Sequence, residues 1–443
     1  MVKRGIQVGL LLFGFFFGAG NLIFPPALGF QAGPAFFTAI AGFILAAVGL
    51  PVVALIVGTF NPGGYRAEMN RKLTPGISLA ILVLIYLIIG PFMAAPRTAA
   101  TAFSVGIAPL AGEGTLPLAL YTAVYFAIAW WLSISPTKLL SRIGKVLTPL
   151  FAIMIVVLFV GCLAMLSGTQ LPVAMGKYAS SAFGTGFVEG YNTVDTPVSF
   201  AFCLVALATL KQFSFKSKGE YCATIWASGV CVAILMAVIY LGLGLLGNHF
   251  PIAPAVLADA NIHPGAYVLT QASELLFGPI GVWFLAVMVS LTCFTTSVGL
   301  NVSVAEFFAA EFPVLSYKKW VTISYIICFI VANLGLNEII KVTLPALLFV
   351  YPIVMTVVLL TIVNKFVNLS KAGMRLTTWV AAIVAIVDIL RQFFGVAWAG
   401  SVINVLPLGT SGLGWLVPVC VCLILSILLP GKIAGTVEEI EEA

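Results

Sequence analysis

Apolar residues run almost continuously along this 443-residue chain, broken at intervals by short clusters of charge, glycine and proline. A bilayer-spanning helix needs about 20 such residues. The pattern predicts spans at 5–30, 35–59, 76–104, 117–135, 146–167 and 185–210, then at 222–247, 280–309, 319–335, 343–364, 376–394 and 413–430. The expected fold class is an all-α polytopic membrane protein of about 12 transmembrane helices. Two spans carry an interruption. In the first, Gly18-Ala19-Gly20-Asn21 is followed by Pro25-Pro26. In the sixth, Glu189-Gly190-Tyr191-Asn192-Thr193-Val194-Asp195-Thr196-Pro197 separates apolar flanks. Glycine and proline inside a span free backbone polar groups, and hydrocarbon tolerates these only where they line a protein-buried or water-filled site. Paired interruptions at corresponding positions are the sequence mark of a carrier's midplane site. These two lie five spans apart. An odd offset places the halves in opposite orientation, which predicts inverted repeats over 5–168 and 185–365, with two peripheral helices in 376–430.

Composition agrees with this reading. The chain is 61% hydrophobic and 8% charged, with a mean hydropathy of +1.15, where a soluble domain carries roughly 25% charge. The formal charge of +6 reads as loop charge that sets orientation, not as nucleic-acid affinity. Lys3/Arg4, Arg66/Arg71/Lys72, Lys138/Arg142/Lys145, Lys211/Lys216/Lys218, Lys318/Lys319, Lys365/Lys371/Arg375 and Lys432 fall at alternate span ends. By the positive-inside rule these ends, and both termini, are cytoplasmic. The acidic tail Glu438, Glu439, Glu441 and Glu442 reads as a solvated end. Met1-Val2-Lys3-Arg4 before an apolar run imitates a signal peptide but has no small-residue cleavage site. Cys162, Cys203, Cys231, Cys293, Cys328, Cys420 and Cys422 read as apolar filler, since none has metal-ligand or redox spacing. With neither a nucleophile–base set nor a nucleotide loop, no enzyme activity is expected, nor any cofactor beyond a coupling ion. A channel would line its filter with repeated carbonyl or charged rings, whereas polar residues here gather at two internal breaks.

Ionisable residues inside a membrane are functional candidates. Asp195 beside the second break is the foremost, either near a cation or as a proton acceptor. Glu189 is either functional or an interfacial carboxylate. Thr292, Thr295, Thr296 and Ser297 share a stretch of span 8; such hydroxyls either ligate a hard cation or bond their own backbone. Asp388 and Arg391 are three apart and form an expected structural ion pair. Arg97 either lines the pathway or snorkels outward. The outer connection 248–279, with His249, His263 and a helix-like run Gly265–Phe277, is either a gate over the outer mouth or a surface helix.

Gly18-Ala19-Gly20-Asn21-Leu22-Ile23-Phe24-Pro25-Pro26 together with Glu189-Gly190-Tyr191-Asn192-Thr193-Val194-Asp195 resembles the bacterial branched-chain amino acid:cation symporter family (the BrnQ type), along essentially the whole chain. That family is similar to carriers of the amino acid–polyamine–organocation superfamily, with a 5+5 inverted-repeat, LeuT-like core and discontinuous helices 1 and 6. The resemblance implies a secondary active importer of leucine, isoleucine and valine in the bacterial plasma membrane, coupled to Na⁺ or H⁺ by alternating access. Another small amino acid or related solute is the alternative substrate. It implies that the backbone of Gly18, Ala19 and Gly20 takes the substrate carboxylate, and that Tyr191, Asn192 and Asp195 receive its amino group and side chain. Asn21 matches one cation position; Gly14, Phe17, Thr295 and Thr296 match a second. The segment Glu189–Pro197 departs from the Gly-Phe-Gly type of the best-known members of this fold. Phe15, Phe16, Phe17 and Phe200 are placed to shape an apolar subsite. No protein or nucleic-acid partner is implied, only substrate, coupling ion and bilayer.

Overall fold

The computed structural model describes residues 2–433 except 62, 113, 135–138, 167, 170, 216, 260 and 261. Lys138, Lys216 and the acidic tail lie outside the described residues, as do the side chains of Arg142 and Lys145. Every apolar segment expected from the pattern falls on a helix or a broken helix pair. Among the described residues, seven helices are long and apolar enough to cross a membrane. Tyr178–Thr193 and Asp195–Leu210, bent by 44° at a break, add an eighth if they form one span.

The first span is broken into α1 (Val2–Phe16) and α2 (Ala19–Ala32). Gly18 between them is extended (φ −133°, ψ −159°). Pro25 and Pro26 sit inside α2, and a ring nitrogen cannot donate to the carbonyl four residues back. The carbonyls of Asn21 and Leu22 are thereby left without their helical partners. The chain continues through α3 (Phe36–Ile44) and α4 (Leu50–Thr59), joined by a π-helical turn, to a short α5 (Gly64–Lys72). The third span is a correction to the sequence reading, which took 76–104 as uninterrupted. It consists of α6 (Pro75–Leu87), a π turn in which Gly90 leaves helical geometry (φ −95°, ψ −119°), α7 (Ala94–Ala102), a second π turn and α8 (Ala108–Ala111). Pro91 and Pro96 each remove one ladder bond, and the distorted stretch turns Arg97 inward.

Next come α9 (Thr115–Ile134), α10 (Leu139–Met165) and the second expected break. There α11 (Tyr178–Glu189) tightens into a 3₁₀ turn over Gly190–Thr193 and ends at Val194 in the left-handed region (φ 67°, ψ 7°) before α12 (Asp195–Leu210). A β-branched residue there is a genuine outlier. It persists because Val194 is wholly buried in packing that over-determines its backbone. The remaining helices are α13 (Lys218–His249), α14 (Pro254–Ala258), α15 (Pro264–Phe277), α16 (Pro279–Glu311), α17 (Tyr317–Ala332) and α18 (Leu336–Phe366). They are followed by α19 (Lys371–Phe394), α20 (Ala397–Val405) and α21 (Leu416–Leu428).

Helix α13 lies along both halves of the broken first span and splints the break. A Cβ on Gly247 would come within 2.0 Å of the Pro26 carbonyl oxygen, so the α2–α13 approach is one that only glycine permits. Loop contacts sort the two faces. On one face Arg4 pairs with Glu220 at 3.0 Å, Tyr221 bonds the Thr59 carbonyl, and Arg66 pairs with Glu311. Lys365 sits over the Phe60 ring, and β1 (Leu369–Ser370) pairs antiparallel with β2 (Lys432–Ile433). On the other face Met175 bonds Gln31, Thr169 bonds His249, and Asn248 bonds Gly29 and Gly33. The basic segments around Arg4, Arg66, Lys218, Lys365 and Lys432 therefore share a face, as the charge alternation requires of them. The Asp388–Arg391 pair forms as expected, at 2.7 Å on α19.

Candidate functional site

The three irregular spans meet. The start of α2, the start of α12 and the distorted turn before α7 enclose a cavity of about 20 Å³, also lined by Phe15, Phe16, Thr296 and Leu300. Asn21 bridges the two principal breaks. Its side-chain oxygen accepts from the Gly18 N–H at 3.1 Å, and its amide donates to Asp195 Oδ2 at 2.8 Å and to the Tyr240 hydroxyl. Tyr240 in turn donates to the same Asp195 oxygen at 3.1 Å. Asp195 is 1% exposed and opens α12, where a carboxylate meets the positive end of the helix dipole. The first N–H groups of α2 have no intrahelical acceptor, and they face this cavity through Ala19 and Gly20.

Arg97 is the buried cation opposite. Its Nη1 donates to the Asn192 carbonyl at 2.6 Å, and its guanidinium lies 5.4 Å from the Phe24 ring centroid. Among the described residues it makes no ion pair with Asp195, although both line the same cavity. The backbone packs tightly here: a Cβ on Gly20 would sit 2.8 Å from Arg97 Nη2 and 3.2 Å from the Asn192 carbonyl. The sequence left Arg97 open between pathway and interface; the side chain is buried and lines this cavity.

The second cation constellation is brought together only in part. Thr296 Oγ1 donates to the Phe17 carbonyl at 3.1 Å, across the break from α16 to the end of α1. The Thr295 hydroxyl turns back to the Thr292 carbonyl of its own helix at 2.9 Å. Gly14 is half-buried in α1 and does not line the cavity.

Several expected residues stand elsewhere. The Tyr191 ring stacks on Tyr351 at 4.1 Å and lines a different crevice with Asp388 and Trp415, because the 3₁₀ turn rotates it away from α2. Asn192 offers Arg97 its carbonyl, and its side chain does not line the cavity. Phe200 stacks on Tyr65 at 3.7 Å, away from the site. Glu189 ends α11 outside the cavity lining. Sequence reasoning missed Tyr240, whose only signal was a lone tyrosine late in an apolar run. It also missed Thr98, Thr193 and Phe24 as neighbours of the site.

The outer connection is not a surface helix. In α15, Val268, Leu269 and Ala272 are fully buried, and Gly265 lies so close to α2 that a Cβ would meet the Ile23 carbonyl at 1.8 Å. His263 caps the start of α15, with its ring edge-on to Phe24 at 5.7 Å. Arg97, Phe24 and His263 thus form a stack from the cavity to the outer connection. Burial, with the Arg97 charge nearby, pushes the His263 imidazole down to about 4.

Comparison with known proteins agrees with the geometry. The profile described as "Branched-chain amino acid transport protein" matches residues 1–433. The chain belongs to this family. A Staphylococcus aureus (strain MRSA252) protein named as a branched-chain amino acid carrier is 35% identical over 437 residues, 97% of each chain. One from Staphylococcus epidermidis (strain ATCC 12228), named likewise, is 38% identical over 425 residues, 94% of each. Among solved structures, this family member is similar to Mhp1, a nucleobase-cation-symport-1 family transporter, in a closed conformation with bromovinylhydantoin bound. The TM-score is 0.61 at 16% identity, covering 96% of this chain and 91% of the other. It is also similar to MhsT in complex with L-phenylalanine, at TM-score 0.58 and 16% identity over 96% and 97% of the two chains. The fold is therefore that of the LeuT-type transporters, and the chain is a multi-pass membrane protein of a carrier family.

Proposed function

We propose that this carrier is a secondary active symporter that imports leucine, isoleucine and valine across the bacterial plasma membrane by alternating access, coupled to Na⁺ or H⁺. The observation that supports this most is the bridge Gly18–Asn21–Asp195–Tyr240, which ties both helix breaks to one buried carboxylate. In this reading the substrate carboxylate docks on the N–H groups of Ala19 and Gly20, where a helix start favours an anion, with the Arg97 charge behind them. The ammonium group replaces Asn21 or Tyr240 as the partner of Asp195. Phe15, Phe16 and Leu300 provide the apolar wall that suits a branched aliphatic side chain.

Coupling has two candidate seats. The Phe17 carbonyl and Thr296 hydroxyl supply oxygen ligands of the kind a hard cation takes. Asp195, hydrogen-bonded by Asn21 and Tyr240, supplies a carboxylate able to carry a proton. The basic face, with both described chain ends, is the cytoplasmic one by the positive-inside rule. The test is leucine uptake into proteoliposomes with a Na⁺ gradient and a pH gradient imposed separately. Accumulation under Na⁺ alone supports the Phe17–Thr296 seat; accumulation under a proton gradient alone supports Asp195. No uptake of any branched-chain amino acid under either gradient overturns the substrate assignment.

A further inference from the structure

A second, larger cavity opens on the basic face. It encloses about 470 Å³, within the range of small-molecule sites and far larger than the midplane cavity. Its walls are built from stripes of two helices. Gly299, Ser303, Glu306 and Ala310 follow helical spacing along one side of α16. Opposite them stand Phe202, Val205 and Thr209 of α12. Phe15 lines both cavities, with its ring 5.7 Å from Phe202. Phe15 is therefore shared by the two cavities, with Phe202 beside it on the vestibule side.

Two charged groups of this vestibule keep bonding capacity in reserve. Arg66 pairs with Glu311 through one terminal nitrogen, and its Nη1 is buried without a partner. Glu306 lines the same space and forms no ion pair or hydrogen bond among the described residues. One cationic and one anionic group, each with bonding capacity to spare, face an apolar wall of Phe15, Phe202 and Phe307. The Phe307 ring is held in place by stacking on Tyr86 at 4.0 Å. A ligand matching this arrangement carries an anion, a cation and an apolar body, which describes a zwitterionic apolar amino acid.

We propose that the vestibule is a second binding site for the transported amino acid, with its carboxylate on Arg66, its ammonium on Glu306 and its side chain against the phenylalanine wall. This rests on the substrate reading above and extends it to a station between the midplane and the basic face. Solute leaving the midplane passes the Phe15–Phe202 pair into a site that satisfies both of its charges before it enters water.

The test is equilibrium dialysis of radiolabelled L-leucine against the purified full-length protein. Two leucines per chain are expected. Glu306→Gln should reduce this to one while the remaining site keeps its affinity, which also certifies the fold. Ala208→Phe, which fills the vestibule from its exposed rim, should do the same without touching a charge, and it decides the matter if Glu306→Gln does not fold. Asp195→Asn should remove the other site and leave the vestibule site. One leucine per chain in the unmodified protein, unchanged in both vestibule variants, overturns the vestibule site alone. No binding of leucine, isoleucine or valine overturns the substrate reading, and the vestibule assignment with it.

Discussion

Asp195 is the focus of the proposed site, because two donors, Asn21 and Tyr240, converge on one of its oxygens while Arg97 lines the same cavity. A charge in the bilayer interior costs a few kcal/mol even on permissive scales, and hydrogen bonds to a charged group return about 1.5–3 kcal/mol each. The residue is therefore tolerable in the fold, held by donors that a ligand can replace. Asp195→Asn preserves shape and most hydrogen bonding but removes the charge. Uptake per carrier molecule should fall more than about tenfold, equivalent to roughly 1.4 kcal/mol, with abundance in the membrane unchanged; equal uptake would remove Asp195 from the site. Thr296→Ala removes the hydroxyl facing the Phe17 carbonyl and should raise the cation concentration for half-maximal uptake. Thr295→Ala should not, because the Thr295 hydroxyl is committed to its own helix. A matched rise in both variants would show that Thr295 turns toward the break in the working cycle.

At the scale of elements, the site depends on backbone that departs from the helix at Gly18, Gly90 and Val194, and on α15 holding α2 from outside. Gly265→Ala would drive a methyl group into the Ile23 carbonyl. Overpacking of this kind costs about 1–3 kcal/mol, so a lowered thermal midpoint and weaker uptake should appear together. His263 contributes in a pH-dependent way. Its folded-state value of about 4 lies below the ordinary histidine value, so the unfolded chain binds more protons between these values. Stability then rises with pH across that window and is flat above it. Thermal midpoints of His263→Gln should accordingly lose part of the acid sensitivity of the unmodified protein below pH 6.5 and match its pH dependence at neutrality. An unchanged acid profile would show that His263 is not buried beside Phe24.

For the whole molecule, the basic face is where the early and late parts of the chain are pinned together. Arg66 of α5 meets Glu311 of α16, and Lys365 at the end of α18 covers Phe60. Within α5, Lys72 Nζ lies 2.5 Å from Glu68 Oε1 and is 4% exposed. Burial outweighs this partner and pushes the Lys72 ammonium down to about 8. Unfolded lysine holds its proton to about 10.4, so the burden of burying the charge is full below pH 8 and shrinks as pH rises toward 10. Lys72→Met should therefore compare more favourably with the unmodified protein at pH 7 than at pH 9.5, in thermal midpoint. A difference independent of pH would place Lys72 in solvent.

The hydrophobic pattern by itself determined where the helices lie, which loops share a face, and where two of the breaks fall. These follow from local physics: a bilayer demands apolar runs of set length, and glycine, proline and buried polar residues mark where a ladder stops. Gly18–Asn21, Asp195 and the Phe17–Thr296 pairing were legible for this reason, the last through family resemblance. The tertiary structure alone decided that the third span also breaks, although Gly90, Pro91 and Pro96 were in view. It brought Tyr240 and Arg97 to Asp195, and it turned Tyr191, Phe200 and Thr295 away. Those outcomes depend on how far each helix is rotated about its own axis and on the twist of a single 3₁₀ turn at Gly190–Thr193. Spacing along the chain specifies neither; packing against α13, α15 and α18 does.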